Sequence, residues 1–337
     1  MAGNKEGIEV SVLVAARNEE SNILRCLESL ARLDYPAGKI EVCIGDDDSS
    51  DRTAEIINTF MLENPNFRYV RITSAVSNLR GKANVLAQLA KRAGGEYFFF
   101  CDADIAVLPT WINAMLAHFD EHTGVVVGLT RMRKGNLFAD FLSLEWLFTL
   151  TITRLLSLFN IPVTGLGNNM AISRKAYEAV GGYETIGFSI VEDYALFMAV
   201  ARRKLGFKMA YNPRIVSVSE PVLSFADWLI QRRRWMQGVM KSSWLTRMSI
   251  LAAAFVFPSI LVMQYWFPVQ AGLVFALHYS FVTLIAVATI LLLRQHDLWK
   301  TVFLFWFYMF VSLSIMLVNY FFPGKMNWKG RVYDKEV

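Results

Sequence analysis

The stretch FFFCDADI, residues 98–105, carries three phenylalanines almost directly into two aspartates, Asp102 and Asp104. A short apolar run rich in aromatic residues is typical of a buried strand. Two carboxylates one residue apart repel each other unless a cation lies between them. The stretch therefore predicts a core strand that ends at a charged site, and it raises the question of which cation that site holds.

Similar strand patterns alternate with helical patterns through the first third of the chain. The strand patterns are VSVLVAA (10–16), IEVCIGDD (40–47), YVRIT (69–73) and YFFFCDAD (97–104), and VVVGLTRM follows at residue 125. Between them apolar residues recur at helical spacing, as Ile23, Leu27 and Leu30 do. This series predicts an α/β fold with a mixed, mostly parallel sheet and helices on both faces.

Polar segments accompany the ends of these strand patterns. They are ARNEE (16–20), GDDDSSD (45–51), RGKAN (80–84) and CDAD (101–104). Any one of them by itself fits a helix cap or a turn. Open sheets of this kind, however, bind ligands outside the carboxyl ends of their strands. The four segments together therefore predict one shared binding site.

Asp102 and Asp104 predict a divalent metal site. A hard ion such as Mg²⁺ or Mn²⁺ takes one or two carboxylates and completes its shell with water and phosphate oxygens. The sequence holds no cluster of His and Cys residues that would indicate zinc. We therefore expect a metal that bridges the protein and a nucleotide diphosphate.

Lys82 and the pair Glu192 and Asp193 are the next candidates. Lys82 follows Gly81 at a predicted helix start, where backbone amides and the ammonium suit a phosphate. Glu192 and Asp193 also open a predicted helix, and there they could simply complement the helix dipole. The alternative is that Asp193 acts as a general base on an acceptor hydroxyl. The residues alone leave both interpretations open.

The motif QRRRWMQG, residues 231–238, predicts a helix with one functional face. Gln231, Arg234 and Trp235 share that face because they stand three and four residues apart. A guanidinium and an amide suit an anionic leaving group, and an indole suits a sugar or a lipid surface. The alternative is a basic amphipathic helix that lies on a membrane, with the other arginines of the motif toward lipid.

The composition changes near residue 248. Overall 54% of the residues are hydrophobic and 14% are aromatic, which is high for a soluble protein. Residues 249–322 carry almost no charge outside 294–300. The run 249–293 is long enough to cross a bilayer twice, and 301–322 is a third candidate. We therefore expect an integral protein of the inner or plasma membrane with a cytoplasmic catalytic domain.

Residues 138–162 are apolar as well, but they include three charged side chains. A crossing there would place Asp102 and Asp193 on opposite faces of the bilayer, so we predict an interfacial helix. Three later crossings would put the basic tail, 324–337, outside, against the positive-inside rule. Either that rule is broken or one apolar segment is re-entrant, and the sequence leaves this open.

The predicted division is a cytoplasmic catalytic domain over residues 1–247, a membrane domain over 248–323 and a basic tail over 324–337. The catalytic domain would include the interfacial helix, at about 138–160, and the amphipathic helix, at about 225–240. The first ten residues contain no apolar stretch, which predicts no signal peptide.

The net charge of +5 and the isoelectric point near 9.0 point to an anionic partner. A group of basic residues lies between 202 and 247, next to the apolar region. Such a group is typical of a cytoplasmic flank at anionic lipid head groups. We therefore expect a lipid bilayer and no nucleic acid. Cys26, Cys43 and Cys101 lack metal-ligand spacing and are predicted to be reduced core residues.

The order ARNEE, DDDSSD, GKAN, DAD, VED, QRRRW, over roughly residues 8–247, resembles the membrane-attached family 2 glycosyltransferases. That group inverts sugar configuration and has a GT-A fold. The resemblance is strongest to the branch with the QxxRW signature, which holds ceramide glucosyltransferase, cellulose synthase and hyaluronan synthase. The chain departs from the family pattern at Asp48, where Gly is usual, and at Ala16, where Pro is usual.

The resemblance implies a role for each motif residue. On the donor side, it implies that Ala16, Glu19 and Asp46 or Asp47 contact the nucleoside and that Lys82 lies near the phosphates. Asp102 and Asp104 would bind the ribose or sugar and the Mg²⁺ or Mn²⁺ ion, and Gln231 and Arg234 would steady the pyrophosphate. Asp193 would be the base, and Trp235 and Glu192 would border the acceptor.

The implied reaction is the transfer of a sugar from a nucleotide sugar, expected to be UDP-linked, to a hydroxyl of a membrane lipid. The sugar would move in a single displacement with inversion of configuration. One alternative is a processive polysaccharide synthase. Another, from a different class, is a catalytically inactive membrane scaffold that binds nucleotide sugar.

Overall fold

The computed structural model describes residues 7–222, 224–240, 244–321, 326–328 and 331–333 of the chain. The chain forms two compact units. The first comprises Met1–Arg131 and Thr153–Glu220, and the second comprises Met132–Ile152 and Pro221–Val337.

The strands before residue 220 alternate with short helices. The strands are β1 (Val10–Ala16), β2 (Ile40–Asp46), β3 (Phe67–Arg71), β4 (Tyr97–Asp102), β5 (Ile105–Ala106), β6 (Val125–Val127), β7 (Leu129–Met132), β8 (Met170–Ser173), β9 (Phe207–Met209) and β10 (Val216–Ser219). The helices are α1 (Ile23–Ala31), α2 (Thr53–Met61), α3 (Gly81–Arg92), α4 (Trp111–Leu116), α5 (Leu137–Ser157), α6 (Arg174–Ala179), α7 (Gly182–Ile186) and α8 (Glu192–Arg202).

The main sheet of the first unit has the strand order β3-β2-β1-β4-β8-β6-β9. All neighbours in it are parallel except β8, which runs antiparallel to both β4 and β6. The prediction of a mixed, mostly parallel sheet is confirmed. β4 lies in the middle, and Phe98, Phe99 and Phe100 are at most 1% exposed, which confirms the buried strand inferred from the aromatic run.

The carboxyl ends of the parallel strands meet at one edge of this sheet. Ala16 at the end of β1 lies opposite Asp46 at the end of β2. Ala15 lies opposite Asp102 at the end of β4. Because neighbouring strands are about 4.8 Å apart, the segments that follow these strands share one edge. The polar segments that were predicted to form a binding site therefore start at this edge of the sheet.

The segment VVVGLTRM is not one strand, as predicted, but two. It divides at Gly128 into β6 in the main sheet and β7 in a second sheet with the order β5-β10-β7. Asn169 fills the space beside Gly128, since a Cβ there would stand 2.1 Å from the Asn169 Oδ1. The buried Asn169 amide donates to the Leu129 carbonyl at 2.6 Å. A close side-chain contact, which no strand pattern encodes, therefore redirects the chain.

The second unit consists of α9 (Phe225–Met240), α10 (Trp244–Trp266), α11 (Pro268–Leu292), α12 (Val302–Phe321) and most of α5, with a hairpin of β11 (Met326–Trp328) and β12 (Arg331–Tyr333). Within the described residues, three stretches are long and apolar enough to cross a membrane: Arg247–Trp266, Pro268–Leu292 and His296–Phe321. The prediction of three apolar segments is confirmed on length and composition. α5 is not among them.

A buried polar cluster joins three helices of the second unit. Arg232 of α9 pairs with Glu145 of α5, and both are under 10% exposed. Tyr308 and Ser312 of α12 donate hydroxyl hydrogen bonds to the same carboxylate, at 2.7 and 3.1 Å. These hydrogen bonds satisfy both oxygens of the buried carboxylate, which offsets part of the cost of taking the ion pair out of water.

The arginines of QRRRW do not point toward lipid, as the amphipathic-helix interpretation proposed. Arg232 is 3% exposed, and its guanidinium lies over the rings of Trp228 and Trp235, at 5.1 and 4.6 Å. Arg233 donates to the Asn319 amide oxygen at 2.9 Å. That interpretation is wrong for these two residues, because Arg232 has a carboxylate partner inside the protein and Arg233 has an amide partner there.

The structural division and the predicted division describe different properties of the chain. Hydropathy rises near residue 248, whereas packing groups residues 221–247 with the apolar helices and with residues 132–152. The strands Met326–Trp328 and Arg331–Tyr333 lie in the predicted basic tail, and the other tail residues lie outside the described part of the chain.

Candidate active site

The loops after β1 and β2 are joined by reciprocal hydrogen bonds. The backbone amide of Asn18 donates to Ser49 Oγ at 3.0 Å, and the Ser50 amide donates to Asn18 Oδ1 at 2.9 Å. The Glu19 amide donates to Thr53 Oγ1 at 2.8 Å. Asn18, Ser49 and Ser50 are not the N-caps of the following helices, whereas Asp51 does accept from the Thr53 amide at the start of α2, at 3.0 Å. The reciprocal hydrogen bonds hold two loops together at the carboxyl edge of the sheet.

Asp46 is fully buried and its carboxylate is engaged by the protein itself. Its Oδ1 accepts from the Ser49 amide at 2.9 Å and the Ser49 hydroxyl at 2.5 Å, and its Oδ2 accepts from the Tyr69 hydroxyl at 2.8 Å. Burial, together with this bond, raises the pKa of Tyr69 to about 12. Asp47 instead has its Oδ2 3.9 Å from the Arg17 guanidinium. The internal use of Asp46 favours Asp47 as the nucleoside contact.

Asp48 occupies the position where the family usually has glycine. Its φ is +57°, in the left-handed region that glycine adopts freely and aspartate tolerates. Its carboxylate is 2.7 Å from the Arg71 guanidinium at the end of β3. The turn therefore has the geometry that glycine favours, and an ion pair supports it here.

Lys82 is a cation beside the first aspartate of the opening stretch. Its Nζ lies 2.5 Å from Asp102 Oδ1 and 3.1 Å from Glu192 Oε1. Burial opposes the charge on Lys82, but attraction by these two carboxylates raises the pKa of its ammonium above the ordinary value. One lysine of α3 thus connects the end of β4 with the start of α8, two segments far apart in sequence.

Asp104 is held by the second sheet. The Ser219 hydroxyl of β10 donates to its Oδ2 at 3.2 Å. The Arg25 guanidinium of α1 donates to the Asp104 carbonyl and lies 3.1 Å from Glu220 Oε1. Asp102 and Asp104 are therefore positioned by different partners, Lys82 on one side and β10 on the other.

Asp193 sits at the start of α8 against the loop TGLGNN. Its Oδ2 accepts from the Gly167 amide at 2.6 Å, and its Oδ1 accepts from the Tyr194 amide at 2.7 Å. A Cβ on Gly167 would stand 2.9 Å from the Asp193 Cβ and 3.0 Å from the Lys82 Nζ. The glycine therefore lets the backbone approach the carboxylate.

The pKa of Asp193 is raised to about 6. Burial is the main cause, and repulsion by the neighbouring Glu192 adds to it, while the Lys82 ammonium acts in the opposite direction. A carboxylate with a pKa near the working pH is ionised at neutrality and still basic enough to accept a proton. This is the property that a general base requires.

The two acids of the opening stretch fit a divalent metal by the chemistry of their donors. Burial raises the pKa of both Asp102 and Asp104, and repulsion by Asp104 adds to the increase for Asp102. No third Asp, Glu, His or Cys completes a metal cluster with them among the described residues. Such a pair suits Mg²⁺ or Mn²⁺ whose remaining ligands are water and phosphate oxygens. Lys82 already neutralises Asp102, so Asp104 is the better placed ligand.

Gln231, Arg234 and Trp235 lie together on α9 in the second unit. The Trp235 ring packs edge-on against Trp146 of α5, with centroids 5.1 Å apart. The other candidates, Ala16, Glu19, Asp46, Asp47, Lys82, Asp102, Asp104, Glu192 and Asp193, lie in the first unit.

Sequence reasoning missed several residues that support the site. Ser219 and Arg25 hold Asp104, and Asn169 accepts from the Trp111 indole at 2.9 Å and donates to Ser217 at 3.1 Å. The only available signal was the pair of asparagines after TGLG, where an amide in an apolar context indicates a buried network. Ser219 and Arg25 gave no signal, because their partners are distant in sequence.

Comparison with protein families identifies two matching descriptions. Residues 11–181 match "Glycosyl transferase family 2", and residues 97–328 match "Glycosyl transferase family group 2". Together they cover the site residues of both units.

Two relatives differ in the product that their names describe. Over 236 residues the chain is 27% identical to a beta-monoglucosyldiacylglycerol synthase of Synechocystis, covering 68% of this chain and 47% of the relative. Over 233 residues it is 30% identical to a poly-beta-1,6-N-acetyl-D-glucosamine synthase of Staphylococcus epidermidis, covering 68% of this chain and 54% of the relative. The chain thus spans about half the length of these relatives.

The fold is similar to a mannosyltransferase, PcManGT, of Pyrobaculum calidifontis, solved in complex with GDP-Man and Mn²⁺. The TM-score is 0.56 at 21% sequence identity, and the similarity covers 95% of this chain and 89% of that one. At this identity the likeness concerns the fold alone. The predicted GT-A fold is confirmed.

Asp46→Asn and Asp47→Asn should affect different properties, stability in the first case and donor binding in the second. We expect Asp46→Asn to lower the free energy of unfolding by about 1.5–3 kcal/mol, because it weakens hydrogen bonds to a buried charge. Asp47→Asn should weaken binding of a UDP-sugar, because we expect Asp47 to contact the nucleoside. Thermal unfolding and calorimetric titration measure the two effects, and the reverse pattern would assign the nucleoside contact to Asp46.

Gly167→Ala should displace Asp193 and Lys82, because the new methyl group would lie within about 3 Å of both. Small misplacements of a reacting group cost up to about 100-fold in rate, so we expect a 10- to 100-fold drop in kcat with little loss of stability. Gly38→Ala is the matched control, since a Cβ there meets nothing within 4 Å. Full turnover in folded Gly167→Ala would contradict the assigned geometry.

Proposed function

The chain belongs to glycosyl transferase family 2, and from this premise we propose that it transfers a sugar from a nucleotide diphosphate sugar to a hydroxyl of a membrane lipid. One observation carries the proposal: Lys82 connects Asp102 of the DAD segment with Glu192, the neighbour of Asp193. A donor-binding acid and a candidate base therefore belong to one charge network. The donor we expect is UDP-linked.

The donor would be bound by three groups of residues. Asp47, with Ala16 and Glu19 at the end of β1, would contact the nucleoside. Lys82 would face the diphosphate from the start of α3. Gln231 and Arg234 of α9 would steady the pyrophosphate, because a guanidinium and an amide on one helix face both donate hydrogen bonds to phosphate oxygens.

Asp104, with Asp102, would hold a Mg²⁺ or Mn²⁺ ion. When bound, such an ion neutralises the charge that grows on the departing diphosphate. The arrangement of Asp104 supports this role, because Ser219 and Arg25 fix the residue while Lys82 balances its neighbour.

Asp193 would take the proton from the acceptor hydroxyl as that oxygen attacks the anomeric carbon. The Gly167 and Tyr194 amides orient the carboxylate, and its raised pKa makes it a stronger base than a surface aspartate. A single attack from the face opposite the diphosphate inverts the configuration at the sugar. Trp235 and Glu192 would border the acceptor.

A lipid acceptor is supported by the membrane character of the chain and by its relative that makes a glucosyldiacylglycerol. In this proposal residues 1–247 form the cytoplasmic catalytic part, and the apolar helices after residue 248 hold it at the membrane. A polysaccharide synthase is the second candidate, favoured by the relative that makes poly-N-acetylglucosamine.

Transfer should fall as the pH drops below about 6, because only the ionised Asp193 accepts a proton and its pKa is raised to about 6. The logarithm of kcat/KM should approach a slope of one per pH unit on this acid limb. Asp193→Asn should lower kcat by at least about 100-fold above pH 6 and remove this acid limb. Initial rates across pH 4.5–8 measure both.

Glu192→Gln tests whether Asp193 is the group that controls the acid limb. Removing the charge of Glu192 takes away a repulsion that raises the pKa of Asp193, so the acid limb should move to lower pH. An acid limb that persists unchanged in both variants would show that another group controls it.

The acceptor class is tested with purified protein, radiolabelled UDP-sugars, extracted membrane lipids and Mn²⁺. We expect one lipid-soluble product with a single sugar, lost with EDTA or in Asp104→Ala. A ladder of products would favour the polysaccharide synthase. Donor binding without any turnover across the lipid panel would contradict the proposed transfer.

A further inference from the structure

The helix α12 has the length and hydropathy of a membrane span, yet its contacts indicate another position. We propose that α12 lies along the membrane interface on the side of the first unit, with one face against acyl chains, and that only α10 and α11 cross the bilayer. The contacts at the two ends of α12 support this position independently of catalysis.

The segment that contains α5 begins and ends on one side of the membrane. β4 and β6, which precede α5, both pair with β8, which follows it. A helix that crossed once between these strands would divide one hydrogen-bonded sheet between two faces of the bilayer. A return through lipid by residues 158–169, which contain no helix, would leave backbone groups unpaired in hydrocarbon. α5 therefore stays on the side of the sheet.

The helix α9 begins on that same side. It starts at Phe225, only a few residues after β10 ends at Ser219 in the second sheet of the first unit. It also carries three consecutive arginines, which are costly at the bilayer centre. Both α5 and α9 can thus serve as markers for the side of the first unit.

α12 is tied to these two helices at both ends. Just before it, the Lys300 ammonium lies 2.7 Å from the Asp140 carboxylate of α5. Near its end, Asn319 accepts from Arg233 at 2.9 Å and donates to the Leu229 carbonyl at 2.7 Å, both in α9. Lys300 and Asn319 are about 28 Å apart along a helix, close to the thickness of the hydrocarbon core. If α12 spanned the membrane, its contacts with α5 and with α9 would lie at opposite surfaces of the bilayer.

The middle of α12 leads to the same conclusion. Tyr308 and Ser312 bind Glu145, the partner of Arg232. In a spanning helix this charge cluster would lie near the bilayer centre, where ionised groups are least tolerated. In an interfacial helix it lies at the level of α5 and α9.

The remaining face of α12 is apolar and exposed. Its members are Phe303, Leu304, Phe307, Val311, Val318 and Phe321, each more than 40% exposed. A helix with polar contacts on one face and large apolar side chains on the other suits the boundary between head groups and acyl chains. The occupant of this face is therefore the leaflet on the side of the first unit.

This arrangement also resolves the conflict with the positive-inside rule. With two crossings, by α10 and α11, the chain returns to the side of the first unit before α12 begins. β11, after α12, lies against α9. The basic residues of the tail then stay on the same side as the other basic residues of the chain, as the rule requires.

Labelling of single cysteines tests the proposal in sealed vesicles of both orientations. The native cysteines are replaced by alanine, and Glu63→Cys, Gln270→Cys and Glu336→Cys report on the first unit, the first turn of α11 and the tail. With a membrane-impermeant maleimide, we expect Glu63→Cys and Glu336→Cys to react in one orientation and Gln270→Cys in the other. Reaction of Glu336→Cys together with Gln270→Cys would overturn the proposal.

A depth measurement tests α12 directly. Spin labels at Phe303→Cys, Val311→Cys and Phe321→Cys should show similar accessibility to oxygen and to a water-soluble nickel chelate, because an interfacial helix keeps one depth. A spanning helix would show a sharp oxygen maximum at position 311, and that result would overturn the proposal. Neither experiment requires turnover, so an inactive chain with this topology would contradict the proposed function and not this inference.

Discussion

The contact between Lys82 and the acids of two distant motifs is the interaction on which the candidate site depends. Asp102 ends the central strand and Glu192 opens α8, and a single ammonium lies within 3.1 Å of both. Buried like charges are tolerated only with a cation among them, and removing one member of a buried pair costs about 3–5 kcal/mol. Lys82 therefore lets the chain bring acids together at one sheet edge before any metal or substrate arrives.

The requirement that a buried charge has a partner of opposite charge also applies in the second unit, where the surroundings are apolar. Glu145 and Arg232 are almost fully buried, and Tyr308 and Ser312 satisfy the carboxylate. Arg232 pairs with Glu145 of α5, and Trp235 packs against Trp146 of the same helix, so these contacts hold α9 at a defined rotation about its axis. Gln231 and Arg234 take their direction from that rotation. Charge pairing thus positions the candidate groups of both units, through Lys82 in one and Arg232 in the other.

Much of the fold followed from patterns in the sequence, because strand and helix periodicity are local properties. The strands around FFFCDADI, the helices between them and the three apolar segments were all predicted from composition and spacing. The division of VVVGLTRM at Gly128 was not, since it depends on Asn169 from another part of the chain. Likewise, Ser219 and Arg25 could not be recognised as supports of Asp104 without their neighbours in space.

The sequence by itself determined that acids, a lysine and a QxxRW motif follow successive elements of an α/β sheet, and that a strongly apolar region comes after them. Only the tertiary structure decided that Asp46 is a buried structural acid, that Lys82 neutralises Asp102, and that Arg232 pairs inward with Glu145. The physical reason is that side-chain pairing depends on distance in space. Periodicity records which face of an element is buried, but the identity of the partner on that face depends on residues far along the chain.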